Sequence, residues 1–300
     1  MTLSRVRIAF AAVFVLLAPP AAHAIGNCSI GSVTLGNQTY INAAVSVTGT
    51  VNYTCTRTSN GADGDTITFN VAAQPGLFYN AGTRNAGIGS NRLPYGLAAG
   101  AAWGNGTTAG NVRTVTASFP IGGISSVTGS FPFTFTIAAS QNVPGGLTYL
   151  DTVAIDGACT TAKTSTCSVT AGALVVSVDV PFTCAIASPP GTLNLAYTSF
   201  QPGTAAGTTS FTANCSNGAP YRMSLSPATG TVLGITYALK LGTSANSATD
   251  VSSKTTYNLA GTGTATTYYI NATAAAAQTG ACAAPPCTQL GPAHSLLLEY

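Results

Sequence analysis

Charged side chains are scarce in this sequence, at 6% of 300 residues, where ordinary globular domains carry about a quarter. The scarcity leaves no basic stretch for nucleic acid or anionic lipid, because the cations after residue 24 stand singly from Arg57 to Lys254. Histidine is nearly absent as well. Of the two, His23 lies in the leader described below, so His294 alone remains. With one His and every cysteine assigned to a disulfide, Ser/His and Cys/His nucleophile arrangements are nearly excluded. Helical periodicity is missing after the first two dozen residues, and no later apolar run approaches about 18 residues, so no helical membrane anchor is expected. Phosphate loops and metal-ligand spacings are absent too, and no cofactor is expected.

The chain opens with Arg5 and Arg7, an apolar run from Ile8 to Leu17, and the small residues of Ala22-His23-Ala24. That is a secretory signal over residues 1–24, with the mature chain expected to begin at Ile25. Removing Arg5 and Arg7 from ten cations leaves eight against seven carboxylates, a mature charge near +1. Such a surface offers little charge to repel a neighbouring subunit.

Eight cysteines in an exported chain read as disulfides: Cys28, Cys55, Cys159, Cys167, Cys184, Cys215, Cys282 and Cys287. Their spacing repeats. A wide pair, strand-rich sequence, a short pair and an apolar strand occur twice in the same order. Eight cysteines allow 105 pairings, and the simplest joins neighbours within each unit, Cys28–Cys55, Cys159–Cys167, Cys184–Cys215 and Cys282–Cys287. Two domains follow, 25–183 and 184–300. Period-2 alternation fills both, as in Phe131, Phe133, Phe135 and Ile137, or Leu193, Leu195 and Tyr197. One-sided alternation broken by Gly, Asn, Pro and Ser predicts an all-β chain of two antiparallel β-sandwich domains.

The two units end differently. After its short cysteine pair the first continues through Leu174, Val176, Val178, Val180 and Phe182, whereas the second reaches only Leu296-Leu297-Leu298-Glu299-Tyr300. At 117 residues against 159, the second is expected to lack its last edge strand. An open sheet margin exposes unpaired backbone and is either covered or used for docking.

Several stretches resemble the spore coat protein U domain, the unit of archaic, Csu-type chaperone–usher pili. In the second unit they are Cys184, Leu195-Ala196-Tyr197, Phe211-Thr212-Ala213-Asn214-Cys215, Tyr221-Arg222-Met223-Ser224-Leu225 and Ile235-Thr236-Tyr237-Ala238-Leu239. In the first they are Leu93-Pro94-Tyr95-Gly96-Leu97, Trp103-Gly104 and Val143–Val153, the last similar to the family's Gly-x-Tyr-x-Asp-x-Val strand. His294–Leu298 holds the equivalent place in the second unit without the Tyr and Asp.

The resemblance implies immunoglobulin-like folds, the incomplete ones filled by a strand from a periplasmic chaperone. A neighbouring pilin subunit then donates its N-terminal extension at the outer-membrane usher. Ile25-Gly26-Asn27 before Cys28 spans about 10 Å, too short to act as a donor. An acceptor that cannot donate belongs at the fibre's end, which implies a non-enzymatic tip adhesin exported through the periplasm to the cell surface. The rival readings are a spore-coat or surface-layer protein that forms no fibre and, more remotely, a secreted hydrolase.

Candidate adhesive positions are Leu97, Ala101, Trp103, Ile121 and Ile124, in loops unusually apolar for a surface. Trp103 has a core reading beside that one. Arg57, Asp63 and Asp65 read as a solvated turn, and the Cys159–Cys167 loop is expected at the pole of the first domain away from the second. Leu296, Leu298 and Tyr300 mark the edge expected to receive a chaperone or donor strand, and the Tyr300 carboxylate is a candidate anchor for basic chaperone residues.

Overall fold

The computed structural model describes residues 26–57, 65–101, 103–104, 112–120, 126–161, 167–282 and 286–300. The signal segment and Ile25 therefore lie outside the described residues, among which no helix occurs. All four disulfides form as the local pairing predicts.

Strands up to Val180 build one sandwich. Its front sheet runs β10 (Cys167–Thr170), β1 (Gly26–Ile30), β3 (Val45–Arg57), β8 (Ser126–Ile137), β6 (Asn91–Ala98). The back layer contains β5 (Arg84–Ile88), β9 (Leu147–Thr161), β11 (Gly172–Val180) and β2 (Val33–Thr39), with β4 (Asp65–Ala73) on the later half of β9 and β7 (Arg113–Phe119) outside it. The β5–β6 hairpin joins the two layers. Alternation sets the faces: Phe131, Phe133, Phe135 and Ile137 of β8, and Leu174, Val176, Val178 and Val180 of β11, all bury in one core.

The first stretch of chain is shared between the layers. β1 lies in the front sheet, antiparallel to β3 and parallel to β10; the chain then crosses over, and β2 runs parallel to β11. β11 therefore has a partner on each side, β9 from Gly172–Ile155 to Val180–Leu147 and β2 from Leu174–Val33 to Asp179–Thr39. Side chains lace the three strands together. Asp179 accepts from Asn37 of β2 and, at 2.6 Å, from Thr148 of β9. The first sandwich completes itself.

The second sandwich repeats the plan with fewer strands. Its larger sheet runs β12 (Cys184–Ser188), β13 (Ala205–Cys215), β18 (Ala265–Ala274), β16 (Ile235–Gly242), β15 (Thr229–Val232); its smaller runs β17 (Leu259–Ala260), β14 (Pro220–Ser226), β19 (Ser295–Glu299). Cys184 stands opposite Cys215 across β12 and β13 as Cys28 stands opposite Cys55 across β1 and β3. β13, β18, β16, β14 and β19 pair as β3, β8, β6, β4 and β9 do. No described strand takes the place of β11.

Two expectations change. Cys159 sits late in β9, whereas the Cys282–Cys287 pair precedes β19, the counterpart of β9. The short cysteine pairs thus flank opposite ends of equivalent strands. Leu193, Leu195 and Tyr197 are half-buried with polar or small residues between them, yet residues 189–204 form no strand. Their counterpart, β2, pairs only with β11, and the second sandwich has no such partner to offer.

Candidate functional site: an open sheet edge

β19 pairs with β14 from Arg222–Glu299 to Ser226–Ser295, and its other edge has no partner strand among the described residues. Leu296 and Leu298 point to the second core but stay half-buried, while Leu297 is 52% and Tyr300 57% exposed. In the first sandwich, on the stretch of β9 that pairs with β11, Tyr149 and Val153 are 0% exposed. Leu193 and Leu195 pack on the same second core, on the segment that follows β12 as β2 follows β1. The structure thus leaves the sequence-predicted Leu296 and Leu298 half-buried on a strand whose outer edge has no partner among the described residues.

Both ends of β19 are held by side chains that sequence reasoning missed. Arg222 Nε donates to Glu299 Oε2 at 2.9 Å and Nη2 to Oε1 at 3.2 Å, and the guanidinium lies 4.9 Å from the Tyr257 ring centre. The hydrogen bond to Arg222 holds the Glu299 carboxyl below its usual range and raises the Arg222 guanidinium in turn. Just before β19, His294 Nδ1 is 2.7 Å from the Pro227 carbonyl and Nε2 is 2.8 Å from Tyr237 Oη.

The candidate adhesive positions separate. Leu97 and Trp103 are 5% and 2% exposed and belong to the first core, so the reading of both as surface contacts is corrected. Trp103 packs edge-on to Phe131, donates Nε1–H to the Val71 carbonyl at 3.0 Å and offers its own carbonyl to Arg84. Ala101 is exposed. Ile121, Ile124 and Asp63 lie outside the described residues, and so does the Asp65 side chain.

Arg57 corrects the solvated-turn reading. It is 5% exposed, with its guanidinium 5.3 Å from the Phe119 ring centre and a hydrogen bond to the Pro120 carbonyl. The ends of β3, β7 and β9 and the starts of β4, β8 and β10 gather at one pole, opposite Val180, where the Cys159–Cys167 bridge also lies.

The sandwiches meet through both backbone and side chains. Gly145 N–H donates to the Asn217 carbonyl at 2.9 Å, Asn142 Nδ2 to the Thr262 carbonyl at 3.0 Å, and Thr183 and Ser216 exchange further bonds. Phe182 of the connecting segment lies over Gly146, where φ is +69° and an added Cβ would stand 2.5 Å from the ring.

Residues 12–156 match the model of the Spore Coat Protein U domain. Over that stretch the chain is similar to the Spore Coat Protein U domain. The match runs from within the signal segment into β9 of the first sandwich. Among curated proteins none matches. Solved structures similar to this chain include a chain of the CsuC–CsuE chaperone–tip adhesion subunit pre-assembly complex from archaic chaperone–usher Csu pili of Acinetobacter baumannii. It is 12% identical at a TM-score of 0.45, with 91% of this chain and 100% of that one covered. The CupB6 tip adhesin from Pseudomonas aeruginosa is 9% identical at a TM-score of 0.37, with 87% and 94% covered. The CooA pilin subunit from enterotoxigenic Escherichia coli is 14% identical at a TM-score of 0.28, with 51% and 97% covered. Within the matched stretch the long strand β9 carries Tyr149, Asp151 and Val153, all three turned inward.

Proposed function

We propose that this protein is the non-enzymatic tip subunit of a chaperone–usher fibre and mediates attachment, with the division between its two domains at Thr183/Cys184. The observation that carries the reading is the edge of β19, unpartnered among the described residues, with Leu296 and Leu298 of that strand and Leu193 and Leu195 half-buried against the same core. A periplasmic chaperone and then a neighbouring subunit each supply a strand to that edge, the second at the outer-membrane usher. Support for an acceptor that does not donate comes from β1. Its residues bond to β3 on one side and β10 on the other, so Gly26–Ile30 are committed to their own sheet. Attachment falls to the pole opposite Val180, and the protein travels through the periplasm to the cell surface.

β19 runs toward the junction between the sandwiches, as β9 runs away from it, so a hairpin after Tyr300 would return a strand antiparallel to β19. The test appends to Tyr300 a turn of about four residues and the nine residues of β11. The second sandwich is expected to melt higher, and a co-expressed pilus chaperone is expected to stop copurifying. Unchanged melting together with unchanged chaperone capture would refute the strand-accepting reading.

A further inference from the structure

β19 has only five residues and a ladder on one side, and an element of that kind opens locally far more easily than the sheet behind it. The chain reaches it from residues 275–294, whose described residues form no strand and include Leu290 at 90% exposure. The ladder to β14 is therefore a weak reason for the edge to stay in place.

Side chains supply a stronger one at each end. At the entry, the Pro227 carbonyl can only accept, so His294 Nδ1 carries the hydrogen and Nε2 receives the Tyr237 hydroxyl. Pro227 follows β14 in the smaller sheet, and Tyr237 belongs to β16 in the larger. One imidazole thus ties the start of β19 to both layers. Tyr237 can reach it because its hydroxyl passes over Gly230, where a Cβ would lie 2.4 Å away. At the exit, Glu299 stands directly opposite Arg222 in the register and takes two hydrogen bonds from its guanidinium. Between the two clamps Leu296 and Leu298 face the core, and the outer backbone edge is left free.

We propose that His294 and the Arg222–Glu299 pair are positioning residues that hold the open edge of β19 in register before a strand arrives, so that capture is docking onto a formed edge. This rests on the strand-accepting reading above. The clamps act through the backbone of Ser295–Glu299.

The test uses the full mature chain, hydrogen exchange, and a labelled nine-residue peptide with the sequence of β11 as the probe. In His294→Ala the β19 amides are expected to exchange about tenfold faster, the effect of one to two lost hydrogen bonds, with Phe211–Cys215 unchanged. Peptide association is expected to slow while dissociation is unaltered. Glu299→Ala is expected to act in the same direction, and the exchange of charges in Arg222→Glu with Glu299→Arg to restore capture. Wild-type exchange at β19 in both single variants would overturn the inference, as would loosening spread equally over Phe211–Cys215, which marks an ordinary stabilising contact. If the clamps behave as expected but the wild-type chain captures no peptide, the strand-accepting reading fails and the positioning role falls with it.

Discussion

Asp151 accepts the Tyr95 hydroxyl hydrogen at 2.6 Å with both side chains buried, at 2% and 6% exposure. The same carboxylate accepts the backbone N–H groups of Leu77 and Thr152, each at 2.8 Å. A lone carboxylate on the inward face of β9 is thereby satisfied three times over, which is how a buried charge becomes tolerable. It also fixes the loop after β4 against the sandwich. Asp151→Ala would strand the buried Tyr95 hydroxyl, at a cost of about 1–3 kcal/mol, and would release the Leu77 amide. A denaturant midpoint lowered for the first sandwich alone is the expected result.

The same contact makes the fold sensitive to alkali. Burial first, and then the hydrogen bond to Asp151, push the Tyr95 phenol well above its usual range. Burial and the 2.5 Å contact with Tyr268 do the same for Tyr221 in the second sandwich. Unfolded tyrosines ionise near about pH 10. Below that pH both states hold their protons and the stabilisation is complete; above it the unfolded chain releases protons that the folded chain keeps, so stability falls as pH rises. Chemical denaturation is expected to show a plateau to about pH 9 and a decline beyond about pH 10. Tyr95→Phe should flatten that decline for the first sandwich only.

Much of the architecture was legible in the sequence because alternation and cysteine order are local signals. Leu174, Val176, Val178 and Val180 announce a strand whatever lies beside them, and four cysteine pairs in repeated order announce their own bridges. Leu193, Leu195 and Tyr197 show the limit. Their alternation reports burial on one face, but a strand also needs a backbone partner, and that this partner is the missing edge strand shows only once β2 is seen to pair with β11. Trp103 and Leu97 show another: a short apolar stretch has the same composition whether it lines a core or a surface. The clamps on β19 could not be read at all, because His294, Tyr237 and Pro227, or Arg222 and Glu299, become neighbours only once the register is set.

The junction between the sandwiches depends on close approach. Gly146 holds a left-handed φ and gives its missing side chain's space to Phe182, while Gly145 and Asn142 reach across to Asn217 and Thr262. Gly146→Val would place a β-branched side chain where both the backbone and the ring forbid it. The expected outcome is faster proteolytic cleavage at Pro181–Thr183 and greater spread in small-angle scattering, with the second sandwich melting as before. A variant as compact and as resistant as the wild type would show that the junction is held by something other than this contact.

Trp103 separates packing from attachment. Its ring is enclosed by Phe131 and Phe133, its Nε1–H is used by Val71, and its carbonyl is one of three that satisfy the buried Arg84, beside those of Gln74 and Ala73. Trp103→Ala would open a cavity and is expected to lower the stability of the first sandwich by about 3–5 kcal/mol. Ala101 lies two residues earlier and is exposed, so Ala101→Asp is expected to leave the melting temperature within about a degree, as surface substitutions do. Assayed on cells bearing the fibre, Trp103→Ala should lose attachment only to the extent that folded protein is lost. Attachment that fails in a fully folded Trp103→Ala protein would instead place the indole in the adhesive surface, against the burial seen in the structure.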